Sequence, residues 1–236
     1  MRIRTILAAA AAPLAIGGVL LTTTAASAST GNGNGPGQSI SAYYWQSNGH
    51  ALSGPQDMPK GTVSLSNGYL AKATEKTNNL ALNRGDVITI TGTVTGQGQF
   101  KTNPDGQWPQ VGPNFRIFFE GGSAGTNPSS PDGYETQAWW VHGTDLSVTP
   151  ATEVDLNSTT STFTLTATVD PSVTTWNDWN GSLTTDQATA TAFLAAASHV
   201  RALGISVGGG FFYENGVTGP GSIQIAQIQV NGNPVG

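Results

Sequence analysis

Residues able to do chemistry are sparse in this chain, and few of them are spaced for it. Gly204-Ile205-Ser206-Val207-Gly208 has the G-x-S-x-G spacing of a nucleophile elbow. That device needs a strand running into a sharp turn, a helix leaving it, and a later histidine to take the serine proton. Here a helical pattern comes first, the serine sits inside a strand-like run, and no histidine follows it. A serine hydrolase is therefore not expected. His50, His142 and His199 are too dispersed for a spacing such as H-E-x-x-H, and no EF-hand string occurs. Asp105, Asp132, Asp145 and Asp170 stand beside Gly, Pro or Thr, where a short carboxylate caps its own turn. Cysteine is absent, which excludes thiol chemistry, thiolate metal sites and disulfides. The expectation is no catalytic residue, no metal and no cofactor.

A glycoside hydrolase or lyase needs two carboxylates roughly 5 to 10 Å apart across a cleft. Glu120, Glu135 and Glu214 are the candidates, and their local sequence does not set them apart from solvated charges. Alternation gives a more specific site. In a strand through residues 115–120, Phe115, Ile117 and Phe119 form the core side, leaving Arg116, Phe118 and Glu120 on the other. In the next strand Glu135, Gln137 and Trp139 share one side. Arg116, Phe118 and Glu120 beside Glu135, Gln137 and Trp139 make a polar face with aromatic platforms. A sugar stacks its C–H face on an indole while charged and amide groups bind its hydroxyls, each contact contributing about 1 kcal/mol net. Trp139 and Trp140 point to opposite sides, and this reading puts Trp139 outward. Trp108, between Gln107 and Pro109 in a long loop, is a further ligand-binding candidate.

The elements that must hold these residues are mostly strands. Ile88, Ile90 and Val94 oppose Thr89, Thr91, Thr93 and Thr95; Phe163, Leu165, Ala167 and Val169 oppose Thr162, Thr164, Thr166 and Thr168. Such half-buried alternation belongs to antiparallel sheets packed as a sandwich. The threonine ladders lack the fixed-period repeat that an ice-binding surface would add. Further strands are expected near 40–46, 62–75, 134–142, 203–207 and 222–230. In the last, the apolar phase flips between Ile225 and Ile228, which a β-bulge would reconcile. One helix is expected over about 186–199, with Thr184 and Gln187 at capping-box spacing and Ala190, Phe193, Leu194 and Ala197 as its apolar stripe. Trp176 and Trp179 are expected to pack beneath it. Long Gly-, Pro- and Asn-rich loops over 96–112 and 121–133 flank one strand, the usual position for function on a rigid scaffold.

Arg2 and Arg4, an apolar run from Ile6 to Leu21 and Ala26-Ser27-Ala28 read as a secretory signal peptide over 1–28. The run is shorter than the roughly 20 apolar residues of a membrane span. The reading continues with a flexible leader at 29–37 and a single β-sandwich domain over 38–236. Without disulfides, an extracellular chain of this kind relies on a sizeable core. Only 10% of the residues are charged, and loss of Arg2 and Arg4 takes the formal charge from −5 to about −7. That excludes a phosphate-binding surface, so neither nucleic acid nor, after cleavage, membrane is an expected partner. A neutral surface of Thr, Ser, Asn, Gln and Gly suits uncharged polymers.

Trp179 and Gly181, then Phe193-x-x-Ala196, then Val200-x-x-Leu203-x-Ile205 and a closing strand give the stretch 176–230 a recognisable plan. It resembles the closing part of laminin B-type domains and their galactose-binding-like jelly-roll relatives among secreted bacterial proteins. That resemblance implies an all-β fold: an antiparallel sandwich of jelly-roll type with one short helix near the C-terminal strands. Such domains carry an Asp-Asn pair in the final strand that serves calcium; Ala226-Gln227 stands here instead, so no calcium site is expected. The functional expectation is a secreted, non-catalytic protein that binds a glycan or cell-wall polymer. The alternatives are a structural or adhesive surface protein and a glycan-active enzyme.

Overall fold

The computed structural model describes residues 40–45, 56–58, 61–105, 112–121, 138–142, 152–157, 161–208 and 215–235. The expected signal peptide and leader, and much of both long loops, lie outside these. The described strands form two antiparallel sheets, as the alternating runs require, and the protein is a β-sandwich with one short helix among the described residues.

The larger sheet contains β1 (Ile40–Trp45), β2 (Gln56–Met58), β4 (Tyr69–Leu80), β7 (Asn114–Gly121), β8 (Ala138–Val141), β11 (Trp176–Asn177) and β12 (Val200–Gly208). Their order across the sheet is β11-β8-β7-β12-β4-β1-β2. Short β9 (Glu153–Asp155) pairs with the first half of β7, and β8 pairs with its second half. Another pair of short strands, β6 (Lys101–Thr102) and β13 (Val217–Thr218), joins through β13 to β4.

The smaller sheet runs β10 (Thr162–Thr168), β5 (Val87–Thr95), β14 (Ser222–Val230), β15 (Asn233–Pro234), with β3 (Thr62–Ser64) also on β14. Its register sets Thr93 opposite Thr162, Thr91 opposite Thr164 and Thr89 opposite Thr166. The opposite side chains, Ile88, Ile90, Phe163 and Leu165, are buried between the sheets. In β14 the pairing steps from Ile225–Gly92 to Gln227–Thr91, so Ala226 is bulged out and both Ile225 and Ile228 face inward. The phase flip in the sequence thus has the expected cause.

The single strand expected over 62–75 is in fact two, β3 and β4, which belong to opposite sheets. The chain turns between them at Asn67-Gly68, where Gly68 has φ 112°, a conformation other residues rarely adopt. The helix, α1 (Gln187–Ala197), is capped differently from the expectation. Asp186 is the N-cap, its Oδ2 accepting from Thr189 N at 3.0 Å, whereas Thr184 Oγ1 accepts from Trp176 N at 2.9 Å. Thr184 therefore fixes β11 rather than the helix.

Phe193, Ala196 and Ala197 are the buried residues of α1. The Phe193 ring meets those of Trp176, Trp139 and Phe119 at 5.1, 5.3 and 5.7 Å between centroids. Burying four such rings together supplies area and edge-to-face contacts. At the end of β7 a Cβ on Gly121 would stand 2.1 Å from Ala196 O, so only glycine lets helix and sheet approach this closely. No helix among the described residues is long and apolar enough to cross a membrane.

Candidate functional site

On the larger sheet, side chains alternate between the interior and an outer face. Phe115, Ile117 and Phe119 of β7, and Leu203, Ile205 and Val207 of β12, join the main core. Phe118, Ala138 and Trp140 form a separate cluster with Trp179 packed against it, which marks the outer face.

Cross-strand register lays that face out in rows. Tyr43, Lys72, Ser206, Arg116 and Glu153 stand opposite one another across β1, β4, β12, β7 and β9. The neighbouring row is Ser41, Thr74, Gly204, Phe118, Trp140 and Asn177, across β1, β4, β12, β7, β8 and β11. Directly opposed residues on a sheet are within side-chain contact, so a charged row abuts an aromatic one. Gly204 lies between Thr74 and Phe118, and a Cβ there would meet Ala73 O at 2.2 Å.

The charges are paired within the face. Arg116 Nη2 donates to Glu153 Oε1 at 2.6 Å, and Asn114 Nδ2 donates to the same oxygen at 2.6 Å. Both partners are buried, with side chains 5% and 7% exposed. A buried ion pair survives only with close geometry and added hydrogen bonds, and Asn114 supplies one. Lys72 makes an ion pair with Glu120. Its Nζ lies 4.8 Å from the Tyr43 ring centroid and 5.2 Å from that of Phe118, within cation–π range.

Phe118 and Trp140 rings lie 5.0 Å apart, and Trp140 and Trp179 rings 5.8 Å. Trp179 is held by a turn in which Asp178 Oδ1 accepts from Ser182 N at 2.7 Å, and burial pushes the Asp178 carboxyl up. Among the polar atoms of the two rows, Ser206 Oγ, Trp140 Nε1 and Asn177 Oδ1 are three that are buried without a hydrogen-bond partner. Buried polar atoms are normally paired, so three together on one face need an explanation.

Arg116, Phe118 and Glu120 occupy the outer face, as alternation indicated. Trp139 does not. It pairs with Phe119 in register and its indole is fully buried in the main core against Phe193. Because neighbours in a strand alternate, the outward indole is Trp140. Trp108, Glu135 and Gln137, like Glu214, lie outside the described residues. Trp176 packs beneath α1 as expected, but Trp179 stands against Trp140 instead.

Sequence reasoning missed Tyr43, Lys72, Trp140, Glu153 and Asn177 as members of the face, and weighed Ser206 only as a nucleophile. Ser206 sits mid-strand, paired on both sides, with none of the geometry of an elbow. The signal for Lys72 was obscured by an irregularity in β4: Tyr43 pairs with Lys72 but Tyr44 with Leu70, so strict alternation breaks at Ala71. Glu153 lies in a strand of three residues, too short for a period to show. Among the described residues, no three His, Cys, Asp or Glu side chains gather as a metal-binding group. No family model matches the chain, and no curated protein or solved structure matches it.

Proposed function

We propose that this protein is a secreted, non-catalytic binder of a glycan or cell-surface polymer, and that the outer face of the larger sheet is its contact surface. The observation that carries this reading is the set of unpartnered buried atoms, Ser206 Oγ, Trp140 Nε1 and Asn177 Oδ1, beside the Phe118–Trp140 ring pair. An indole N–H donates, an amide oxygen accepts and a hydroxyl does both, so together they match the hydroxyls of a sugar stacked on an aromatic ring. Each of the two cations already has a carboxylate beside it, Arg116 with Glu153 and Lys72 with Glu120, which favours a neutral ligand over an anionic one. Export rests on the residue pattern of 1–28, and the resemblance of 176–230 to galactose-binding-like domains points the same way.

A second reading draws on burial. Phe118 and Trp140 are 0% and 1% exposed, so the centre of the face is as enclosed as a core although Tyr43, Glu120 and Trp179 are half-buried. That favours a structural or adhesive protein whose outer face serves stability alone. Retention of the mature protein on insoluble cellulose, chitin, xylan and peptidoglycan separates the two. The binding reading expects retention on at least one polymer, reduced about tenfold by Trp140→Phe, which keeps a ring but removes the N–H donor. A wild-type protein that stays in the supernatant with all four favours the structural reading.

A further inference from the structure

A polar groove lies between β4 of the larger sheet and the β14–β15 end of the smaller one. This groove, of about 740 Å³, is lined by Glu75, Lys76 and Asp86, by amides including Asn78 and Asn233, and by Leu80 and Val235. Glu75 is out of place by ordinary strand logic. Its cross-strand partners are Ile40 and Leu203, both core residues, so its carboxyl projects between the sheets. The residue is 5% exposed, and Oε2 is buried with no hydrogen-bond partner.

The other two ionisable residues lining the groove do not relieve it. Asp86 is committed to structure: Oδ2 accepts from Asn83 N at 2.7 Å and Oδ1 from Asn231 Nδ2 at 2.8 Å. Lys76, next along the strand and paired in register with Ala202, is exposed and leaves Glu75 Oε2 without a hydrogen bond. A carboxyl with one oxygen buried, no counter-charge and no donor to that oxygen is costly unless something supplies both.

We infer that this groove binds a ligand bearing a primary ammonium group, seated against the Glu75 carboxylate with its polar body among the rim asparagines. A hydroxyl would bring a hydrogen bond but leave the carboxylate charge uncompensated. An ammonium brings the donor and the charge together, in the stronger, charge-assisted form. Burial pushes Glu75 up to about 7, so below neutrality the empty groove holds a neutral acid. Docking of R–NH₃⁺ then converts the acid to a carboxylate and releases its proton to solvent, one proton for each ligand bound.

The test compares glucamine with sorbitol, which share a polyol body and differ in amine against hydroxyl. Calorimetry at pH 6 in buffers of different ionisation enthalpy should give saturable glucamine binding, at least about tenfold tighter than sorbitol, with close to one proton released. The release should vanish at pH 8.5. Glu75→Gln should abolish the release and weaken glucamine at least about tenfold. Should that variant fail to fold, carbon NMR titration of the wild-type carboxyl answers instead: saturating glucamine should lower the Glu75 midpoint by about two units or more. No binding, equal affinity for the two probes, or an unmoved Glu75 midpoint would overturn the inference. Neither probe depends on the outer face, so failure here leaves the glycan reading standing.

Discussion

Ser206 places a hydroxyl between the strands that carry Lys72 and Arg116 and gives it nothing to bond. If that hydroxyl is kept for a ligand, Ser206→Ala should leave the fold equally stable, or stabilise it by up to about 1 kcal/mol, while weakening polymer retention. Urea midpoints and retention measured on the same preparation check both halves. Glu153 differs, because its removal strands a buried guanidinium. Glu153→Gln should cost about 3–5 kcal/mol, seen as a large fall in the urea midpoint. Glu75 adds a pH dependence whose sign is fixed by burial. Its carboxyl, raised from 4.5 to about 7, holds a proton more tightly in the folded state than in the unfolded. Stability is unaffected below about pH 4.5, falls as pH rises from there through 7, and stays low above. Glu75→Gln should therefore match wild type at pH 4 and exceed it at pH 8, by on the order of 1–2 kcal/mol once water in the groove is allowed for. A wild-type stability that rises relative to the variant across that window would contradict the assignment.

The elements divide sharply into those the residue pattern revealed and those it hid. β5 and β10 are legible because threonine alternates with apolar residues, broken only at Gly92, and the bulge in β14 because its phase flip leaves two apolar sets out of step. The turn that separates β3 from β4 was missed although Asn67-Gly68 marks it, because apolar and polar residues continue on both sides of it. Alternation alone sets Arg116, Phe118 and Glu120 on the outer face, but a Trp-Trp pair carries no parity signal of its own, and it is Trp140 rather than Trp139 that lies on that face. The helix was recognised by its stripe, but its cap was assigned to Thr184 when Asp186 holds Thr189 N. Asp186→Ala should cost about 1 kcal/mol, and Thr184→Ala should act through β11 with no loss of the cap. Phe193→Ala, which opens the cluster of Trp139, Trp176 and Phe119, should cost about 3–5 kcal/mol. Thermal unfolding of the three variants tests that ranking.

At the scale of the molecule, a sandwich without disulfides carries a main core between its sheets and an enclosed polar layer on the far side of the larger one. For the proposed ligand to touch side chains as buried as Phe118, Trp140 and Ser206, these must first become exposed. Association should therefore run below the roughly 10⁵ M⁻¹ s⁻¹ of an open site and level off at high ligand concentration, observable by stopped-flow tryptophan fluorescence. Alternation shows only the β7 part of this layer, Arg116, Phe118 and Glu120; the rest is hidden in the sequence because it is built by register across β1, β4, β12, β7 and β9, strands far apart in the chain. The central claim is that Trp140, and not Trp139, faces the ligand. Its most direct test is the indole N–H spectrum of ¹⁵N-labelled protein titrated with soluble oligomers of cellulose, chitin and xylan and with peptidoglycan fragments. The expected result is a saturable shift of the Trp140 Nε1–H signal with one of them, larger than any change at Trp139 and diminished by Ser206→Ala. A Trp140 signal unmoved by every oligomer, or matched by that of Trp139, would contradict the account.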